Sequence, residues 1–322
     1  MGHILKTMFR SGRFAVGFTV FVTILLFITI YPMFDRREPL AMIGGLYDRP
    51  NLVRYLQRHN AGAQEATAVE VVDEALAELM AQFGLTAIVR EERPMQLHIL
   101  GTDNFGRDMM VQLVSATKTS LLIGLLAGSI ATLVGISIGL LAGYLGGQID
   151  NFLSSIINVF IVIPSFVILI LISVSLRATT FLSTGIIIGC TSWPWTARSV
   201  RAQTTSLRNR DHVNLSKLSG HSMPRIIARD ILPYIASYVV MAFVMQIASG
   251  ILAEATISML GLGPRNVATL GLMMFWAGSY NALFNGNWWA FFPKVVMISL
   301  ITFSLNLMNS GLDQIFNPQI RS

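Results

Sequence analysis

The chain has 322 residues, 53% of them hydrophobic and only 12% charged, against about 25% charged for an ordinary soluble domain. With a mean hydropathy of +0.61, this excludes a water-soluble globule. Lys and Arg outnumber Asp and Glu to give a net charge of +6, but short cytoplasmic loops of membrane proteins collect such residues, so nucleic acid is a poor explanation for the basic balance. The single cysteine, Cys190, lies in an apolar run, which predicts a buried, inert thiol and leaves no partner for an internal disulfide or a multi-cysteine metal site.

A bilayer core of about 30 Å needs roughly 20 apolar residues in a helix. Six stretches meet or nearly meet this: Phe14–Met33, Thr119–Leu145, Phe152–Leu176, Phe181–Ala202, Leu232–Leu262 and Trp288–Leu312. The first is too long for a signal-peptide core and has no small-x-small site after it, so it is expected to stay as an anchor. Residues 34–117 hold eight Arg and twelve Asp or Glu. Within them Val69, Val72, Leu76, Leu79, Met80 and Phe83 recur at helical steps, predicting an acidic amphipathic helix outside the membrane.

Between the fourth and fifth spans, Arg198 to Asp230 carries seven basic and two acidic residues, which assigns that loop to the cytoplasm. Lys6, Arg10 and Arg13 put the N-terminus on the same side, and six spans return the C-terminus there. The expected fold is therefore an all-α membrane protein in three parts: 1–33 as cytoplasmic N-terminus and first span, 34–117 as external segment, and 118–322 as a five-helix core with a cytoplasmic loop at 203–231.

In the second span, Gly124, Gly128, Gly135, Gly139 and Gly143 form a face nearly without side chains. Such faces let helix backbones approach closely in lipid, so this helix is expected to be buried among others. Gly135 to Gly139 also fits G-x-S-x-G around Ser137, but a serine nucleophile at membrane depth needs a histidine base. His3, His59, His98, His212 and His221 all fall outside the spans. No Gly-Lys dipeptide occurs, so the chain has no phosphate-binding loop of the G-x-x-x-x-G-K-[ST] kind.

Ionisable or polar groups inside spans are candidate pathway residues. Glu254 is the only carboxylate inside one, and either lines a path or braces a neighbouring helix; Asn158 and Gln246 are the other clear polar interruptions. Pro164, Pro194 and Pro233 mark kinks or helix starts. Phe275, Trp276, Tyr280, Phe284, Trp288, Trp289, Phe291 and Phe292 form an aromatic cluster around the start of the last span, suited to an interfacial belt or to stacking on cargo. Residues 264–287 are too short of continuous apolar sequence to span and are expected to fold back over the outer mouth.

Three stretches resemble the second permease of the dipeptide, oligopeptide and nickel group of binding-protein-dependent ABC importers. Leu100-Gly101-Thr102-Asp103-Asn104-Phe105-Gly106-Arg107-Asp108 is similar to that group's L-G-T-D-x-x-G-R-D. Ile251 to Gly263 is similar to its I-L-A-E-A-x-L-S-F-L-G-L-G. Gly220 and Asp230-Ile231-Leu232-Pro233 match the spacing of its E-A-A-x-x-x-G loop and distal Leu-Pro, although Asn214, Leu215 and Ser216 stand where the family has Glu-Ala-Ala.

The resemblance covers about residues 98–320 and implies a type I importer permease fold. It also implies a short coupling helix against an ATPase, formed here by His212, Asn214, Leu215, Ser216, Lys217, Leu218, Ser219, Gly220, His221, Ser222 and Met223. It further implies a non-catalytic subunit in a bacterial or archaeal inner membrane. The partners would be a homologous second permease, two ATPase subunits that bind ATP and Mg, and an extracytoplasmic binding protein. No metal and no cofactor is expected on this chain. Peptides are the first expected cargo and oligosaccharides the second, with nickel less favoured because no His or Met cluster lies on a pathway face; an ion-coupled carrier is the remaining alternative.

Overall fold

The computed structural model describes residues 11–52, 97–176 and 180–316. The amphipathic segment around 69–83, the basic residues Lys6 and Arg10, and the last residues of the chain lie outside the described residues. Within them the fold is helical, with isolated bridges only at Met42 with Arg107 and Thr102 with Asp108. The helices are α1 Gly12–Phe34, α2 Met109–Leu145, α3 Gly147–Val162, α4 Ser165–Leu176, α5 Phe181–Arg208 and α6 Asp211–Leu218. They continue as α7 Met223–Met259, α8 Leu270–Ser279 and α9 Phe292–Phe316.

Four of these, α1, α2, α7 and α9, are long and apolar enough to cross a membrane. Their outward residues are themselves apolar: Val16, Leu26, Leu133, Leu252, Val296 and Phe303 are all about half exposed or more. That surface is costly in water and costs nothing in lipid. The stretch expected as a third span is two helices, α3 and α4, bent by 85°. The break falls at Ile163, whose extended backbone is what a residue before proline is driven to adopt. Counting this pair as one gives five candidate spans. The stretch expected as the fourth span is a 28-residue helix, α5, whose Arg198, Arg201 and Arg208 hold its hydropathy down.

α2 begins at Met109, ten residues before the expected span, because Asp108 caps it by accepting from the backbone N–H of Met110 and Val111. The expected division at 117/118 therefore falls inside one continuous helix. α7 likewise starts before its expected span. Pro233 has no amide hydrogen for the Arg229 carbonyl, and the turn before it, Ile227–Ile231, is wound wide so that Leu232 N–H reaches Ile227 O. Pro194 sits inside α5 without interrupting it.

The glycine face of α2 is divided between two neighbours. A Cβ on Gly128 would lie 2.9 Å from Ile247 of α7, and one on Gly135 or Gly143 would lie within 2.7 Å of Thr196 or Thr204 of α5. At Gly139 the nearest atom is the Ala197 carbonyl, at 2.6 Å. α2 and α5 thus run parallel with backbones in contact, while α7 crosses antiparallel on the other flank. α1 packs antiparallel on α9, where Gly311 meets Phe14 and Gly17 meets Ser304. Ser11 accordingly donates to Gln314 at 3.3 Å, which puts the start of α1 and the end of α9 together at the end of the bundle that carries α6. Cys190 is exposed on α5, not buried as expected: its helix turns Gly189 towards α2 and the neighbouring thiol away from it.

Replacing Gly139 by Leu puts a side chain against the α5 backbone and is expected to destabilise the fold by about 1–3 kcal/mol. Thermal unfolding of the purified protein in detergent checks this, with Leu133→Ala, on an exposed position, expected to leave the midpoint nearly unchanged.

Candidate functional site

α6 is an eight-residue helix with Asp211 in its first turn and Lys217 in its last, the charge order that suits the helix dipole. It ends in a Schellman turn: Gly220 N–H donates to Lys217 O at 3.0 Å and His221 N–H to Ser216 O at 3.2 Å. Gly220 takes φ +76° with open space around it, so glycine is needed there for its backbone and not for room.

One side of α6 is anchored. Val213 is fully buried among Leu140 of α2, Val200 and Leu207 of α5, and Ile226, Ile231 and Ile235 of α7. His212 stacks on Tyr234 with centroids 4.7 Å apart, and its Nε2 lies 3.2 Å from Asp230 O. Lys217 donates to Arg208 O at 2.9 Å. The other side is bare: Leu215 is 67% and Leu218 86% exposed, and Asn214, at the family's glutamate position, is exposed and donates to Asn209 O at 3.2 Å. Ser216, His221 and Met223 are half-buried, while Ser219 and Ser222 are exposed.

A second feature is a half-open hollow of about 660 Å³ on the side of the bundle, with Trp195 and Ser249 exposed at its rim. Its walls come from the α3–α4 break (Phe160, Ser165), α5 (Trp195, Thr196), α7 (Met241, Gln246) and α9 (Asn309). Gln246 Nε2 donates to Ser192 O at 3.0 Å and to Thr196 Oγ1 at 2.8 Å. Of the three residues expected on a pathway, Gln246 lines this cavity and the other two do not. Asn158 is exposed on α3. Glu254 is fully buried and braces three elements: its carboxylate accepts from Ser258 at 2.6 Å and from Ser120 of α2 at 2.9 Å, with Thr269 of the α8 start as a further donor. Ser120 in turn accepts from Leu270 N at 3.1 Å.

The L-G-T-D stretch is an interlocked knot at the opposite end from α6. Asp103 accepts from the backbone of Phe105 and Arg107 at 2.8 and 3.0 Å, from Arg107 Nε at 2.7 Å and from Gln112 Nε2 at 2.9 Å. Gly101 and Gly106 both take φ +73° at its bends. Thr102 Oγ1 donates to Gly45 O at 2.6 Å and its carbonyl accepts from Trp289 Nε1 at 3.2 Å. The Arg107 guanidinium stacks 3.9 Å from the Trp276 ring, and burial pushes its pKa down, against the pull of Asp103. Tyr280 meets Phe105 edge-on at 5.3 Å. Phe284 and Trp288, by contrast, are 92% and 53% exposed, so the aromatic cluster divides into a structural half and an open half.

Asp108 joins α1 to this knot. It accepts from His98 Nδ1 at 2.8 Å and pairs with Arg37 at 3.2 Å, and Arg37 pairs with Asp35 at 2.5 Å. Lys294 is a buried cation that sequence reasoning passed over, 1% exposed; its Nζ donates to Ala290 O and lies 3.7 Å from Met109 Sδ. It stands one turn into the last span, where a search for in-span ionisable groups would have found it.

The Arg37 guanidinium holds the Asp35 pKa down at about 2. A carboxylate depressed below its unfolded value of about 3.9 contributes stability above that value and loses it as pH falls towards 2. The thermal midpoint of the purified protein is therefore expected to decline below about pH 4, with Asp35→Asn reducing that decline and lowering the midpoint at neutral pH; unfolding curves recorded from pH 7 to pH 3 check both.

Residues 135–322 match the family described as binding-protein-dependent transport system inner membrane component. The chain is similar to the dipeptide transport system permease protein DppC of Bacillus subtilis, at 32% identity over 71% of each chain. It is also similar to DppC of Haemophilus influenzae, at 30% identity over 70% of this chain and 75% of that one. The oligopeptide transport system permease protein OppC of Mycobacterium bovis is 29% identical over 71% of this chain and 78% of that one. A chain of the inward-facing MetNI methionine ABC transporter superposes with a TM-score of 0.48 at 19% identity, covering 63% of this chain and 97% of that one. A family match across more than half of its length, together with relatives matched over most of theirs, shows that the chain belongs to the binding-protein-dependent transport system inner membrane components.

Proposed function

We propose that this chain is a permease subunit of an ATP-driven importer and forms part of the pathway for peptides delivered by a binding protein. The observation that carries the reading is α6, a helix anchored at Val213 whose leucines project unpaired from one end of the bundle. Two large apolar side chains on an eight-residue polar helix suit a protein groove better than water. The peptide cargo rests on the names of the relatives. The oligosaccharide alternative drew on the aromatic cluster, half of which is committed to Arg107 and Thr102. An ion-coupled carrier calls for several buried acids or histidines, whereas Glu254 is the one carboxylate within the expected spans and is taken up by serine and threonine hydroxyls.

In this reading the chain crosses the bilayer six times, α5 being the span that composition alone leaves out. Parallel α2 and α5 require the intervening α3–α4 pair to return across the membrane. Both termini and α6 face the cytoplasm, where Arg198, Arg210, Lys217, Arg225 and Arg229 are exposed. The parts are the expected 1–33, 34–117 and 118–322, the second passing into the third within the first turns of α2, with the coupling loop at 203–231. The partners are a homologous second permease, two ATPase subunits that hold ATP and Mg, and an extracytoplasmic binding protein. Transport proceeds as ATPase closure moves the α6 helices and rigid bundles rock between two arrangements.

Affinity purification of the tagged chain from its native membrane is expected to recover a second permease and ATPase subunits. The double variant Leu215→Asp/Leu218→Asp is expected to lose the ATPases and keep the permease. Gly220→Val is expected to weaken ATPase recovery and Gly220→Asn to preserve it, since Asn tolerates positive φ. Undiminished ATPase recovery with the double variant would contradict the reading.

A further inference from the structure

At the knot end, large apolar side chains gather on two stretches that flank one turn. The Met42 bridge to Arg107 and the bond from Tyr47 N–H to Asp103 O at 3.0 Å lay 42–47 along one side of the 103–107 turn. Phe105 of that turn meets Tyr280 at 5.3 Å, and Trp289 Nε1 donates to Thr102 O at 3.2 Å, which lays 280–289 along the other side. Met42 and Leu46 on the first side are 70% and 71% exposed, and Phe284 and Trp288 on the second are exposed as well. Single exposed apolar residues are ordinary, but four large ones on one surface mark an interaction site.

Lipid does not reach this crown. Lys118 is exposed on α2 at the edge of the apolar run that begins at Thr119, and from Lys118 back to its cap, Asp108, the helix rises about 15 Å. The 103–107 turn therefore stands clear of the hydrocarbon, and so do the stretches bound to it.

The chain itself supplies an occupant. Residues 53–96 lie outside the described residues, but they leave and return at the crown: Asn51 N–H donates to His98 O at 3.1 Å and His98 N–H to Asn51 Oδ1 at 2.7 Å, which holds Leu52 and Leu97 together a few residues from Leu46. Within that segment fall the apolar residues at helical steps from Val69 to Phe83, with Glu70, Asp73, Glu74 and Glu78 between them. Such a stripe is stable only against another apolar surface. Residues 53–68 lead out to it and 84–96 lead back, and coils of about 15 residues span roughly 20 Å. That is enough to cross the crown, and the double tether keeps the stripe at a local concentration above that of a separate protein.

We propose that the crown is the seat of the chain's own segment 53–96, with Val69, Val72, Leu76, Leu79, Met80 and Phe83 laid over Met42, Leu46, Phe284 and Trp288. The acidic residues between them then face outward. An extracytoplasmic partner that approaches this end meets a carboxylate-rich surface instead of an apolar one.

Oxidative footprinting of the whole chain, alone in lipid nanodiscs, tests this, with Met42 as the reporter because its oxidation follows its exposure. The double variant Leu76→Asp/Leu79→Asp, which changes no residue of the bundle, is expected to raise Met42 oxidation about fivefold over wild type. In a Cys190→Ala background, Phe284→Cys is expected to form a disulfide with at least one of Leu76→Cys, Leu79→Cys and Phe83→Cys, and none with Glu74→Cys on the acidic side. Equal oxidation of Met42 in wild type and double variant overturns the inference, whatever the cross-links show. So does protection of Met42 that appears only when the binding protein or the second permease is added, which gives the crown to that partner.

Discussion

The bundle depends on how closely α2 can approach its neighbours. In lipid no hydrophobic effect draws one apolar helix to another, so association rests on packing and polar contacts. Glycine at 124, 128, 135, 139 and 143 removes the side chains that would hold α5 and α7 away, and both lie with backbone against backbone on α2. The same two helices then form most of the cavity wall and, at their α6 ends, the socket that holds Val213. The Val213 socket and the cavity wall are thus joined by helices packed with few side chains between them. Glu254 adds a polar tie across α2, α7 and the α8 start near the other end.

The two ends of the molecule are built differently. At one, Asp103 and Asp108 gather backbone, guanidinium and amide donors into a closed network that locks 97–108 against α1, α8 and the Trp289 turn. At the other, α6 hangs by one buried valine and a few polar contacts, next to a turn that Pro233 forces wide. Wide turns of this kind relax the helix ladder and are places where a helix can change pitch at low cost. The knot end is thus braced and the other carries a lightly anchored α6, with the hollow between.

Much of this was legible in the sequence because hydropathy and glycine spacing act locally. The glycine face of α2, the turn at Gly220 and the kink at Pro164 each follow from residue types at short spacing, whereas the bracing of Glu254 needs Ser120 and Thr269. Other features depend on partners distant in sequence. Nothing near Asp103 in sequence announces that its stretch closes a knot in which Asp103 holds Gln112 and Thr102 holds Trp289. Asn158 and Gln246 looked alike as polar interruptions, and only the turn of their helices separates them. Cys190 has apolar neighbours in sequence, yet its face of α5 points away from α2. Lys294 lies near the start of its span, where a lysine ordinarily reaches back to the interface, and only its packing against Met109 and Ala290 shows it buried.

The central claim is that α6 is where an ATPase subunit seats, and proximity tests it most directly. Cys190 is the chain's single cysteine, so its replacement by Ala gives a clean background for Leu215→Cys and Leu218→Cys, each paired with cysteines scanned over the ATPase surface. The account predicts disulfide cross-links to the ATPase from 215 and 218 that change in yield with ATP, and none from Val213→Cys, whose side chain is buried. Absence of any cross-link from 215 and 218, with cross-links arising from the knot end at Phe284→Cys instead, would contradict it.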